Sequence, residues 1–202
     1  MSDRYVISVE NRRGANTNYA VFMDPPEFSG GQQPFMNVWY TSFVPYQGAI
    51  VNSGMSLLAN LGSESSPGST FDLKIQQGFP TITQVTPTAI PGAFEIDTGS
   101  DFTVPNSTYL VGLAKVNHRG QVAPVASMAP MNNMKIQVIP TMKFFITESQ
   151  QVPGEIVDYS SVTREGATID FSSGEGQGNF YARVIQQNDG RFEVNYFGTD
   201  MN

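Results

Sequence analysis

Apolar and polar residues alternate with period two along most of this chain, which is the pattern of strands that show one face to a core and the other to water. Tyr5, Ile7 and Val9 share one face of a first strand, and 19–23 forms a second. The polar interruption between them, 11–17, contains Gly14, so these two strands are expected to form a hairpin. Asp24-Pro25-Pro26 then stops the second strand, because proline has no N–H to donate and restricts the residue before it. Extended structure resumes over 35–44.

The cleanest alternation follows, with Phe71, Leu73 and Ile75 on one side and Asp72, Lys74 and Gln76 on the other, so one side of that sheet faces water. Further strands are predicted at 81–86, 94–97, 109–116, 134–139, 142–147, 156–159 and 168–171. The closing pair is a hairpin: Phe180, Ala182 and Val184 alternate, Asn188-Asp189-Gly190 turns, and Phe192, Val194 and Tyr196 alternate again. Glycine at the third loop position suits a three-residue turn that ends on a left-handed residue.

No stretch has the length and period of a long helix; 54–61 and 127–131 suit a short turn at most, and Pro130 cuts the second. The 19 glycines and 13 prolines punctuate the chain at sandwich-like spacing. The expected fold is all-β: an antiparallel two-sheet sandwich, jelly-roll-like, of about a dozen strands. Residues 1–202 are read as a single domain, because the Ser- and Gly-rich stretches 63–69 and 172–178 are short and flanked by strands.

Composition narrows the chemistry. The chain has no cysteine, which removes disulfides, thiolate metal sites and cysteine nucleophiles together. Charged residues make up 14% of it, and hydroxyl and amide side chains supply most of the polar surface. Eighteen acids against eleven bases leave a formal charge of -7, so phosphate neutralisation is unavailable and nucleic acid is not expected as a partner. With no basic cluster, apolar span or N-terminal apolar leader, the expectation is a cytoplasmic protein without a membrane partner.

Residues 94–104 read Phe-Glu-Ile-Asp-Thr-Gly-Ser-Asp-Phe-Thr-Val, and the Asp-Thr-Gly-Ser within them resembles the catalytic turn of aspartic proteases, above all the dimeric retropepsin type. That resemblance implies Asp97 as the catalytic carboxylate, paired across a dimer with its twin so that the two share one proton. The glycine-bearing flap and the apolar-apolar-glycine strand of that family are not found downstream, and Glu95 stands where the family favours an apolar residue. Asp-Thr-Gly-Ser is also ordinary turn chemistry.

His118, the sole histidine, has no Gly-x-Ser-x-Gly elbow beside it and cannot alone make a zinc or copper set, so it reads as an exposed turn residue. Glu148, Glu155, Asp158, Glu165, Asp170 and Glu175 could supply oxygen to calcium but follow no dedicated loop pattern. No cofactor or metal is expected. Residues 106–108, Asn-Ser-Thr, form a glycosylation sequon that matters only in a secreted protein.

The remaining candidates are aromatic. Trp39 and Tyr40 should point to opposite faces of one strand, so one anchors the core and the other, with nearby Tyr46, is a candidate ligand platform; packing of both rings is the plainer reading. The leading expectation is therefore a non-enzymatic binding module for a neutral polar small molecule or glycan. The alternatives are a self-assembling structural, storage or inclusion protein that forms homo-oligomers, and a dimeric hydrolase using Asp97.

Overall fold

The computed structural model describes residues 5–28, 34–46, 68–101, 109–116, 120 and 122–198, with the backbone of the segments 49–53, 57–59 and 63–64. Among them the chain forms β1 (Val6–Asn11), β2 (Thr17–Met23), β3 (Glu27–Phe28), β4 (Phe35–Val44), β5 (Ala49–Ser53), β6 (Leu57–Ala59), β7 (Ser63–Glu64), β8 (Thr70–Gln76) and β9 (Phe79–Val85). The second half adds β10 (Phe94–Thr98), β11 (Val111–Val116), β12 (Val122–Met128), β13 (Lys135–Ile139), β14 (Lys143–Glu148), β15 (Ile156–Val157), β16 (Ala167–Asp170), β17 (Tyr181–Gln186) and β18 (Phe192–Phe197). One α-helix, α1 (Tyr159–Glu165), lies between β15 and β16. The protein is an all-β sandwich.

Among the described residues three sheets carry it rather than two. The largest runs β16-β14-β2-β4-β12-β11-β6-β7, with β15 also on β4; a second runs β18-β17-β1-β5 and a third β3-β13-β10-β8-β9. Most pairs are antiparallel, but β1 lies parallel to β17 and β8 parallel to β10. One hydrophobic cluster joins all three sheets, drawing Ile7 and Val184 from the second, Val21, Trp39, Leu113 and Phe144 from the first, and Phe71, Ile96 and Ile136 from the third. A smaller cluster, Ala20, Phe22, Met36, Val38, Phe145, Val157 and Val162, occupies the opposite face of the large sheet beneath α1.

The predicted β1–β2 hairpin does not form: β1 pairs with β17 and β5, and β2 with β14 and β4. Asn11 explains the divergence. Its amide donates to the carbonyls of Ala15 and Val44, each at 2.9 Å, while its Oδ1 accepts from the Arg13 N–H at 2.9 Å. This buried side chain turns the backbone out of one sheet and into another.

The final hairpin forms as expected, with Gly190 at φ +87° and its N–H donating to Gln187 at 2.9 Å. Residues 156–159, read as a strand, instead end in α1. Asp158 caps that helix by accepting the Ser160 N–H at 2.8 Å, and the Gly166 N–H closes it on Val162. Residues 127 and 128, read as a turn, belong to β12, a strand the alternation concealed because Pro124 sits in it at a bulge.

Candidate functional site

Trp39 and Tyr40 are both buried, at 1% and 3% exposure. Alternation should have separated them, but a bulge in β4 lets Tyr40 pair with Val21 and Val38 with Phe22, so Trp39 is the extra residue. Both rings thereby enter the same cluster, Trp39 tilted against Phe144 at 6.1 Å. Neither offers a ring face to solvent. Tyr46 does remain exposed, its backbone N–H held by Asn16 at 3.0 Å.

Asp97 lies within β10, opposite Lys135 of β13 on one side and Asp72 of β8 on the other. Its Oδ2 accepts from the Lys135 ammonium at 3.2 Å, and the chain does not turn at Asp97. Thr98 and Gly99 continue toward β8 and β13: the Thr98 hydroxyl donates to Met131 at 2.6 Å, and the Gly99 N–H meets Leu73 at 3.3 Å. In this arrangement Asp97 is an ion-paired strand residue with a second carboxylate beside it.

Glu95, two residues away on the same face, is 2% exposed. Residues 87–90 fold over it, so that Thr88 donates to one carboxylate oxygen, Gln137 donates to the other, and the Lys135 ammonium stands 3.4 Å away. Thr70 supports the cover by accepting the N–H groups of Thr88 and Ala89 at 2.7 and 3.1 Å. Burial works to raise the Glu95 carboxyl, and these three donors outweigh it, holding it below the ordinary value.

His118 and the sequon 106–108 lie outside the described residues. Three of the C-terminal carboxylates, Glu148, Asp158 and Glu165, line one concavity of about 190 Å³, and the rest are dispersed. Asp158 caps α1, Asp170 accepts from Ser172 and Ser173, Glu148 meets Arg13 and Gln186, and Glu155 holds the Val152 N–H. Among the described residues no group of three metal-ligating side chains comes together. Nor is any helix there long and apolar enough to cross a membrane.

The concavity best furnished for a ligand lies elsewhere, at the rim of the smaller core. A cleft of about 320 Å³ is lined by Asp24, Pro25, Pro26, Glu27, Phe28, Pro34 and Tyr159. Sequence builds it in two pieces. The prolines that end β2 lead into the short strand β3 and hold Asp24 and Glu27 at its mouth. From the other side α1 delivers Tyr159, whose ring stands edge-on to Phe145 at 5.8 Å.

The Tyr159 hydroxyl donates to Asp24 Oδ1 at 2.9 Å, and Lys143 stands 3.8 Å from Oδ2. Burial, the hydrogen bond to Asp24 and that carboxylate's charge push the Tyr159 hydroxyl up to about 12, so it keeps its proton at neutral pH. The cleft thus joins two carboxylate acceptors to apolar walls of ring and proline. None of its residues was singled out in the sequence, where Asp24-Pro25-Pro26 carried meaning only as a strand stop and Tyr159 only as a strand end. Comparison with protein-family models, characterised proteins and solved structures finds no match to this chain.

Proposed function

We propose that the protein is a binding module that takes a small neutral, hydroxyl-rich ligand, a mono- or disaccharide, in the cleft between Asp24, Phe28 and Tyr159. The observation that carries this reading is the pairing of the Asp24 and Glu27 carboxylates with the Tyr159 and Phe28 rings around one volume of about 320 Å³. Sugar hydroxyls donate well to carboxylates, and the C–H faces of a sugar lie against aromatic and proline surface. A volume near 300 Å³ is at the small end of ligand sites, which favours one or two rings over a long chain. The ligand class agrees with a protein whose surface is rich in amides and hydroxyls and poor in charge.

Asp24 is the orienting group, because Tyr159 fixes one of its oxygens and leaves the other to Lys143 or a ligand. Calorimetry with sugars selected on a glycan array tests the reading. Asp24→Asn and Tyr159→Phe are each expected to weaken binding by about tenfold, roughly 1.4 kcal/mol, with little change in melting temperature. No glycan above background, or affinity that Asp24→Asn leaves unchanged, ends it.

A further inference from the structure

The outer strand of the third sheet has an unusual composition for an exposed edge. From Ile75 to Phe94 the sequence contains no charged residue, and β9 lies at its centre. Edge strands normally discourage pairing with lysines, inward charges or bulges. Here the one guard is Pro80. Phe79, at 72% exposure, and Val85 are left on the surface at the two ends of the strand.

The turn before β9 fixes which backbone groups point outward. Gln77 and Gly78, at φ +52° and +83°, make a two-residue loop of the type I′ kind, so the flanking pair Gln76 and Phe79 is the closing hydrogen-bonded pair. Bonding then alternates along the ladder. Phe79, Thr81, Thr83 and Val85 turn their N–H and C=O groups toward β8, while Pro80, Ile82 and Gln84 turn theirs away. The absent N–H of Pro80 therefore costs the β8–β9 pair nothing. No backbone partner meets Ile82 or Gln84 on the outward side among the described residues.

We infer that β9 pairs antiparallel with β9 of a second copy of this chain about a two-fold axis at Ile82. In that register Ile82 faces its own counterpart, Thr81 faces Thr83, Pro80 faces Gln84, and Phe79 faces Val85. The two exposed apolar residues thus cover one another at both ends. Ile82 exchanges two hydrogen bonds with its twin, and each Gln84 N–H donates to the Pro80 carbonyl of the other copy, so the proline supplies the group that is needed and lacks the one that is not. No like charges meet along the strand, although each chain carries a formal -7. The axis is isologous, so assembly closes at two and the third sheet becomes ten-stranded. This surface is separate from the Asp24 cleft and does not depend on how that cleft is read.

Sedimentation of the full chain between about 10 µM and about 1 mM tests the contact, a range suited to an interface of modest area. Wild type is expected to shift from monomer to dimer, whereas Gln84→Pro, which removes an outward N–H that β8 does not use, stays monomeric and folded. Ile82→Lys, which opposes two ammonium groups at the axis, does the same. Because the chain has no cysteine, a single introduced thiol reports the register. Residues of a hydrogen-bonded pair have Cα atoms about 5.5 Å apart, within disulfide reach, so Ile82→Cys should cross-link to a dimer under mild oxidation at least tenfold faster than Thr81→Cys. Wild type that is monomeric throughout, a dimer that survives Gln84→Pro, or equal cross-linking by the two cysteine variants overturns the inference.

Discussion

Glu95 and Lys115 are both 2% exposed, and the protein treats their charges in opposite ways. Glu95 keeps its charge because the cover of residues 87–90 and the neighbouring strand bring it a hydroxyl, an amide and an ammonium. Lys115 enters the main core from β11, with its ammonium 5.4 Å from the Phe144 ring and 6.0 Å from the Trp39 ring. Aromatic faces attract a cation but solvate it less well than water does. Burial therefore brings the lysine down to about 8. The difference teaches that donors from Thr88, Gln137 and Lys135 can hold a carboxylate charged against burial, whereas deep desolvation draws a lysine toward neutrality.

The sharpest way to break the contrast is Glu95→Gln, which keeps the shape but confronts three donors with a neutral amide. A loss of about 3 kcal/mol at neutral pH is expected in urea unfolding, the scale of charge-assisted hydrogen bonds left unmade. Since the folded carboxyl lies below its ordinary value, its contribution is complete above the unfolded value and fades as pH falls through the folded one. The gap between wild type and variant should therefore narrow in acid.

Lys115→Met should act in the other direction, raising stability by about 2 kcal/mol at pH 7, because a folded pKa near 8 against 10.5 in the unfolded chain makes the ammonium a net cost there. The sign follows from proton counts. Below pH 8 both states hold the proton and the penalty is full; as pH rises toward 10 the folded lysine gives up its proton before the unfolded one, and stability climbs. Wild type should gain about 2 kcal/mol between pH 8 and pH 10 relative to Lys115→Met, measured by denaturant titration at each pH. Equal slopes would show that burial does not draw this lysine below its ordinary value.

Thr88→Val gives the smallest change, about 1 kcal/mol in the same urea titrations, because it removes one donor to Glu95 and leaves Gln137 and Lys135 in place.

What was legible in the sequence was local. The β17–β18 hairpin is encoded by Gly190 and by alternation on both sides of it, and β8 by a run of six alternating residues. Pairing between distant segments was not legible, since alternation states which residues share a face and nothing about the neighbouring strand. Hence β1 and β2, adjacent in sequence, were joined in expectation and are separate in space. Helix α1 buries only Val162, so it has no apolar stripe to betray it; Asp158 and Gly166 were the available signals. The bulge at Trp39 likewise depends on the partner strand, so alternation alone does not put both rings on the core side. The Asp24 cleft needed Tyr159, which follows Asp24 by 135 positions.

The parallel pairing of β1 with β17 sets a schedule for biosynthesis. Val6 lies opposite Tyr181 and Asn11 opposite Gln186, so one flank of the first strand has no partner while nearly the whole intervening chain is being made. On a ribosome that adds about 5–20 residues per second, this flank stays open for roughly ten seconds or more. A chain cut short before residue 181 would retain β1 with an unfilled edge in place of a closed sheet, an invitation to aggregation or to chaperone capture. Closure of this sheet thus waits on synthesis of residues 181–186.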